Sequence, residues 1–242
     1  MCTVVVSIDP SAEIPLIVVG VRDEFTERPW VPPGEHWPRD RPGLIGGRDL
    51  RGGGTWLAVD PAGRRVGAVL NGHGPPAPDG TRRSRGDLPL LAAAGQSPPE
   101  GDVGRYDPFH LLRADLTGAR LWHWDGVALS REDLPPGTHM IVNSGWERGE
   151  RNERVAFFRP LFAAAGHPPG LDGPWERWRE LATGAGIPSE DPRAMIVSQE
   201  VPGTGLFGSV SVTLLALAPG GVRYEFTADP RDPAAFHGVL PE

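Results

Sequence analysis

The sequence predicts an α+β fold of antiparallel sheets with helices packed on their outer faces. Strand pairs sit at both ends of the chain, with two amphipathic helical patterns between them. The 33 glycines and 28 prolines among 242 residues call for many turns and long ordered loops rather than a helical bundle.

The first pair is Thr3 to Ile8 and Ile14 to Val21, joined by a polar turn at Asp9-Pro10-Ser11. Both segments are apolar on both faces, as in a sheet covered on each side. A proline-rich loop is expected from Arg28 through Arg51. Gly52-Gly53-Gly54 then leads into a second hairpin, Thr55 to Val59 and Arg65 to Leu70, around Asp60-Pro61-Ala62-Gly63. Residues 72–85 read as loop and 86–95 as a short helix. A third hairpin spans Phe109 to Asp115 and Ala119 to Trp124, and His139 to Val142 reads as a strand. The helical patterns cover 148–165 and 174–183, where Trp175, Trp178, Leu181 and Ala182 share one stripe. Ser209 to Ala218 and Val222 to Phe226 close the chain as a hairpin about Pro219-Gly220-Gly221. With no internal repeat, residues 1–242 read as one domain.

Composition removes several kinds of function. A net charge of −7, with arginines scattered among the acids, argues against a nucleic-acid surface. All 24 basic residues are arginine, so Schiff-base, P-loop and Ser-Lys lysines are excluded. One cysteine allows neither an internal disulfide nor a multi-thiolate metal site. The longest early apolar run, Ile14 to Val21, is far below the roughly 20 residues that span a bilayer. With no signal-peptide pattern, the expectation is a soluble, cytoplasmic protein without a membrane span. The seven histidines form no metal-binding pair spacing, the triple glycine enters a strand rather than a helix, and Ser144 lacks the G-x-S-x-G elbow.

One constellation remains. The lone cysteine is Cys2, directly before the first strand. If Met1 is removed, Cys2 carries a thiol and a free α-amine, the pairing with which an N-terminal nucleophile uses its own amine as base. An ordinary residue at a chain end is the alternative. Arg22-Asp23-Glu24 stands where the second strand ends, and hairpin pairing brings Arg22 and Asp23 toward Cys2. A guanidinium there favours the thiolate, and a carboxylate holds the amine; a solvated strand-end cluster is the plainer reading. Asn71 and Asn143 each follow a strand, where an amide can donate to an oxyanion or simply form a turn.

Met1-Cys2-Thr3-Val4, Val21-Arg22-Asp23-Glu24-Phe25 with Arg28-Pro29, Gly53-Gly54-Thr55-Trp56-Leu57 and Pro136-Gly137-Thr138 together resemble the NRDE family, the transport and Golgi organisation protein 2 family. The resemblance implies a four-layer αββα fold of the N-terminal-nucleophile type, akin to penicillin V acylase and bile-salt hydrolase. It implies Cys2 as nucleophile, Arg22 and Asp23 as its partners, and Asn71 and Asn143 as oxyanion or substrate-positioning residues. The expected activity is amide hydrolysis or acyl transfer on a small molecule, with no cofactor required. The family's link to haem and lipid handling implies the alternative, a non-catalytic haem- or lipid-binding protein on the same fold. Three places depart from the family pattern: its leading Asn is Val21 here, Val142-Asn143-Ser144 stands where relatives commonly have Ser-Asn, and Leu206 stands where an arginine is often seen.

Overall fold

All six residues of strand β1 (Thr3–Ile8) are buried, because the sheet that contains it is covered on both faces. A computed structural model describes residues 3–147 and 151–240. Cys2, the first of the sequence-derived site residues, lies outside them.

The elements follow in chain order. β1 pairs with β2 (Leu16–Phe25) in an antiparallel hairpin. β3 (Trp30–Gly34) and β4 (Ile45–Asp49) come next, then β5 (Leu57–Asp60) and β6 (Arg65–Asn71). Helix α1 (Leu88–Ala93) precedes β7 (Phe109–Asp115), β8 (Gly118–Trp124), β9 (Leu129–Leu134), β10 (Gly137–Val142) and β11 (Gly145–Glu147). Helices α2 (Glu153–Ala165) and α3 (Glu176–Ala182) lead to β12 (Ser198–Val201), β13 (Gly205–Ala218), β14 (Gly221–Thr227) and β15 (His237–Gly238).

These strands form two antiparallel sheets. One runs β11-β10-β1-β2-β13-β14-β15, with β12 also paired to β13; the other runs β3 through β9 in sequence order. Val4, Val6, Leu16, Val18, Leu57, Leu70, Leu112 and Phe226 share the core between the sheets. The alternate residues Val5, Ile17, Val19 and Val21 pack with Phe158, Phe162 and Trp178 of α2 and α3. On the far side, Leu88 and Ala92 of α1 cover Val69, Leu111 and Trp122. The order is helix, sheet, sheet, helix: the αββα sandwich expected.

Helix α2 shows how local chemistry sets an element. Asn152 caps it by accepting from the Val155 amide at 3.1 Å, and Val155, Phe158 and Phe162 form the buried stripe. Pro160, inside the helix, faces solvent.

The structure departs from the sequence reading in four places. Residues 28–51 hold β3 and β4 rather than loop alone. Pro32 and Pro33 fall at the irregularity between Val31 and Gly34 on a sheet edge, where a missing N–H costs no ladder bond. The second strand runs on to Phe25, so Arg22 and Asp23 lie inside β2 rather than at its end. The short strands β9, β11 and β12, rich in polar residues, had no apolar pattern to reveal them. Helix α2 begins at Glu153, later than the 148–165 pattern.

Candidate active site at the end of the first hairpin

Thr3 is paired on both sides, with Val21 of β2 and Val142 of β10. The next residues along those two strands are Arg22 and Asn143. The two neighbours Arg22 and Asp23 then diverge, because successive side chains of a strand point to opposite faces.

Arg22 takes the inter-sheet face, in line with Leu16 and Val18. It is 3% exposed, and its guanidinium carbon lies 4.3 Å from the centre of the Trp56 ring and 5.7 Å from that of Trp30. Stacking on two aromatic faces holds the charge in place. Its Nη2 reaches Asp49 Oδ2 at 3.5 Å and Glu24 Oε2 at 3.9 Å. Asp49 also accepts from Arg28 Nε at 2.5 Å and from the Gly52 amide at 2.6 Å. Burial pushes the Asp49 carboxyl up, but the Arg28 and Gly52 hydrogen bonds and the charges of Arg28 and Arg22 outweigh it. The carboxyl is held below its ordinary range.

Asp23 takes the helix-side face and is 5% exposed. Ser209 Oγ donates to its Oδ1 at 2.5 Å, and that hydroxyl in turn accepts from the Val197 amide at 3.0 Å. The β2–β13 register slips between Ser209 and Ser211, opposite Asp23 and Arg22. Such a bulge re-aims side chains locally and commonly sits beside functional sites.

Two clefts flank this strand end. The first, about 480 Å³, is lined by Arg22, Arg28, Asp49, Trp56, Asn71 and Arg85 among others. The second, about 400 Å³, is lined by Asp23, His73, Asn143, Ser144, Arg154 and Phe207 among others. The sequence-derived residues therefore divide into Arg22 with Asn71 and Asp23 with Asn143. Asn71 ends β6 opposite Phe109 and is exposed. Thr3 belongs to the second side, since its hydroxyl accepts from Arg154 Nη1 at 2.7 Å.

Sequence reasoning missed a histidine pair between the sheets. His110 and His123 are cross-strand partners on β7 and β8, stacked with ring centres 4.6 Å apart and Nδ1 atoms 2.9 Å apart. His110 Nε2 meets the backbone carbonyl of Asn143 at 3.1 Å, tying the two sheets together. That carbonyl can only accept, which assigns the His110 proton to Nε2 and leaves its Nδ1 to accept from His123. Burial pushes His110 down to about 4; the Asn143 bond opposes this, while the charges of His123 and His73 add to it. Only the cross-strand register brings the pair together, so no spacing rule points to it. Among the described residues no cluster of three metal-ligating side chains occurs, and no helix is long and apolar enough to cross a membrane.

A model of the Transport and Golgi organisation 2 family matches residues 1–179. Comparison with curated proteins gives no match. Among solved structures, an N-acylethanolamine-hydrolyzing acid amidase ortholog from Caenorhabditis elegans is 11% identical and superposes with a TM-score of 0.55. The match covers 97% of this chain and 95% of that one. Penicillin V acylase from Agrobacterium tumefaciens is 16% identical, with a TM-score of 0.46, covering 94% and 83% of the two chains. The first of these likenesses shows a common fold, that of the N-terminal-nucleophile hydrolases.

Proposed function

Because the chain belongs to the Transport and Golgi organisation 2 family, and its fold is that of N-terminal-nucleophile hydrolases, we propose that it is an amidohydrolase or acyltransferase. Cys2 is its nucleophile, and a C–N bond of a small amide is its target. The observation that carries this reading is the buried Arg22 on the inter-sheet face, next in the chain to Val21, which pairs with Thr3. Val4, Val6 and Ile8 of β1 face the inter-sheet side, as Arg22 does. Cys2 directly precedes Thr3 in the sequence, and Arg22 directly follows Val21, the β2 partner of Thr3, which supports Arg22 as the partner of the thiol.

In the proposed reaction the thiol of Cys2 gives its proton to its own α-amine, and the sulfur attacks the amide carbon. Arg22 favours the thiolate through its charge. The Asn71 amide, on the same cleft, donates to the developing oxyanion. Collapse breaks the C–N bond, and the leaving nitrogen takes the proton from the ammonium. Water or an amine then attacks the thioester, releases a carboxylic acid or a new amide, and restores the thiol. Asp23 and Asn143 act from the other face, where they set the strand ends that carry the site.

The test combines mass and labelling. The active protein is expected to lack Met1, a thiol-directed electrophile is expected to label Cys2, and Cys2→Ala is expected to abolish turnover of an acyl-amide panel with the fold intact. Retained Met1 in active protein, or unchanged turnover by Cys2→Ala, overturns the reading. A visible absorption band on titration with haem, lost in Cys2→Ala, supports the cargo-binding alternative instead.

A further inference from the structure

The cleft beside Arg22 carries five arginines, Arg22, Arg28, Arg82, Arg83 and Arg85, and four of them have carboxylate partners. Arg22 and Arg28 share Asp49. Arg82 reaches Asp107 at 3.2 Å, and Arg83 reaches Asp87 at 2.9 Å. Arg85 differs. Its one side-chain hydrogen bond among the described residues runs from Nη1 to the neutral carbonyl of Pro108 at 2.8 Å, and no described carboxylate lies within ion-pair distance. It is half-buried in the cleft wall. Burial pulls it below the ordinary guanidinium range; Asp107 opposes this, and Arg28 and Arg82 add to it. A guanidinium stays charged regardless.

The wall that holds Arg85 is rigid. The Thr55 amide donates to the Gly86 carbonyl at 2.8 Å, and a Cβ on Gly54 would meet the Gly86 carbonyl carbon and oxygen at 2.3 Å. Ser84 Oγ accepts from the Gly86 amide at 3.2 Å. Arg85 is therefore presented on a hydrogen-bonded turn in the cleft wall, and among the described residues its Nε and Nη2 have no hydrogen-bond partner. A partly buried cation with no described carboxylate in direct contact gains from a ligand that supplies one. The Nε–Nη2 fork matches the two oxygens of a carboxylate.

We propose that Arg85 is a specificity residue that binds a carboxylate on the substrate, so that the protein acts on acidic amides. This inference rests on the amidase reading for the reaction, but the binding step does not need the chemistry. The cleft, at about 480 Å³, suits an amide of modest size.

Binding is measured calorimetrically on the full chain carrying Cys2→Ala, so that turnover plays no part. Two probe pairs are used: N-hexanoylglycine against N-hexanoylglycinamide, and N-hexylglutaramic acid against its diamide. In at least one pair the acid is expected to bind about tenfold tighter than the neutral amide, the effect of one charge-assisted bidentate contact. Arg85→Gln is expected to erase that preference, and Arg85→Lys to keep part of it. Equal affinities within both pairs, no binding of either acid, or a preference that survives Arg85→Gln overturns the proposal. Inorganic phosphate displacing the acid at equal concentration overturns it too, since the site is then a general anion site. Failure here leaves Cys2 labelling and turnover untouched, and failure of those leaves the acid preference measurable.

Discussion

Arg22 and Asp23 are consecutive on one strand and open into different clefts, Arg22 against Trp56 at 4.3 Å and Asp23 against Ser209 at 2.5 Å. Their effects on the proposed thiol should therefore separate. Arg22→Gln is expected to raise the apparent pKa of the Cys2 thiol by about one unit, since a nearby cation favours the thiolate. Asp23→Asn is expected not to raise it. The pH profile of alkylation rate reads both, and equal upward shifts would contradict the split.

Ser209 links the bulge to Asp23. Removing its hydroxyl by Ser209→Ala takes a donor from a buried carboxylate and an acceptor from the Val197 amide. A hydrogen bond to a charged group contributes about 1.5–3 kcal/mol. Urea denaturation should show a loss of that order, with the m-value unchanged.

The histidine pair predicts an acid-sensitive fold. His110 titrates near 6.5 when unfolded and is held down to about 4 when folded. Between those values the unfolded chain binds the extra proton, so stability falls as pH drops through that window. The full penalty is roughly 3 kcal/mol below pH 4. Asp49, held below its ordinary value, acts lower still: its contribution is present at higher pH and is lost as the carboxylate protonates below about pH 3.8. His110→Gln keeps a hydrogen-bonding side chain without the titration. Denaturation at pH 7, 5.5 and 4.5 should show a shallower pH slope in the variant than in the parent; an identical slope would reject the assignment.

Gly54 is a packing requirement. A methyl there would press on the Gly86 backbone, which has no rotamer with which to yield. Gly54→Ala is expected to cost about 1–3 kcal/mol, in the range of an overpacked site. Gly53, at φ +74° with nothing near its missing Cβ, should lose only about 1–2 kcal/mol on substitution by Ala, from backbone strain alone. Thermal unfolding of the two variants distinguishes a steric clash from a conformational preference.

The sequence by itself determined the hairpins and the layer scheme. Uninterrupted apolar runs such as Thr3–Ile8, and turn chemistry such as Asp60-Pro61-Ala62-Gly63, are local properties, and each strand they mark is present. Periodicity likewise marked the α2 and α3 stripes. The sequence also singled out Cys2 as the one thiol and Arg22-Asp23 as its candidate partners. What only the tertiary structure decided was direction and partnership. A strand's two-residue period says that Arg22 and Asp23 part company, but not which cleft each one enters. That depended on the facing sheet bringing Trp56 and Trp30 to one and on the β13 bulge bringing Ser209 to the other. The His110–His123 contact and the Asn143 carbonyl that orients it join residues 13 and 33 positions apart. No local pattern encodes such meetings, because they arise from cross-strand register and from the packing of one sheet on the other. The divergence of Arg22 from Asp23 is the clearest case: adjacent in the chain, they are separated by the thickness of the sheet.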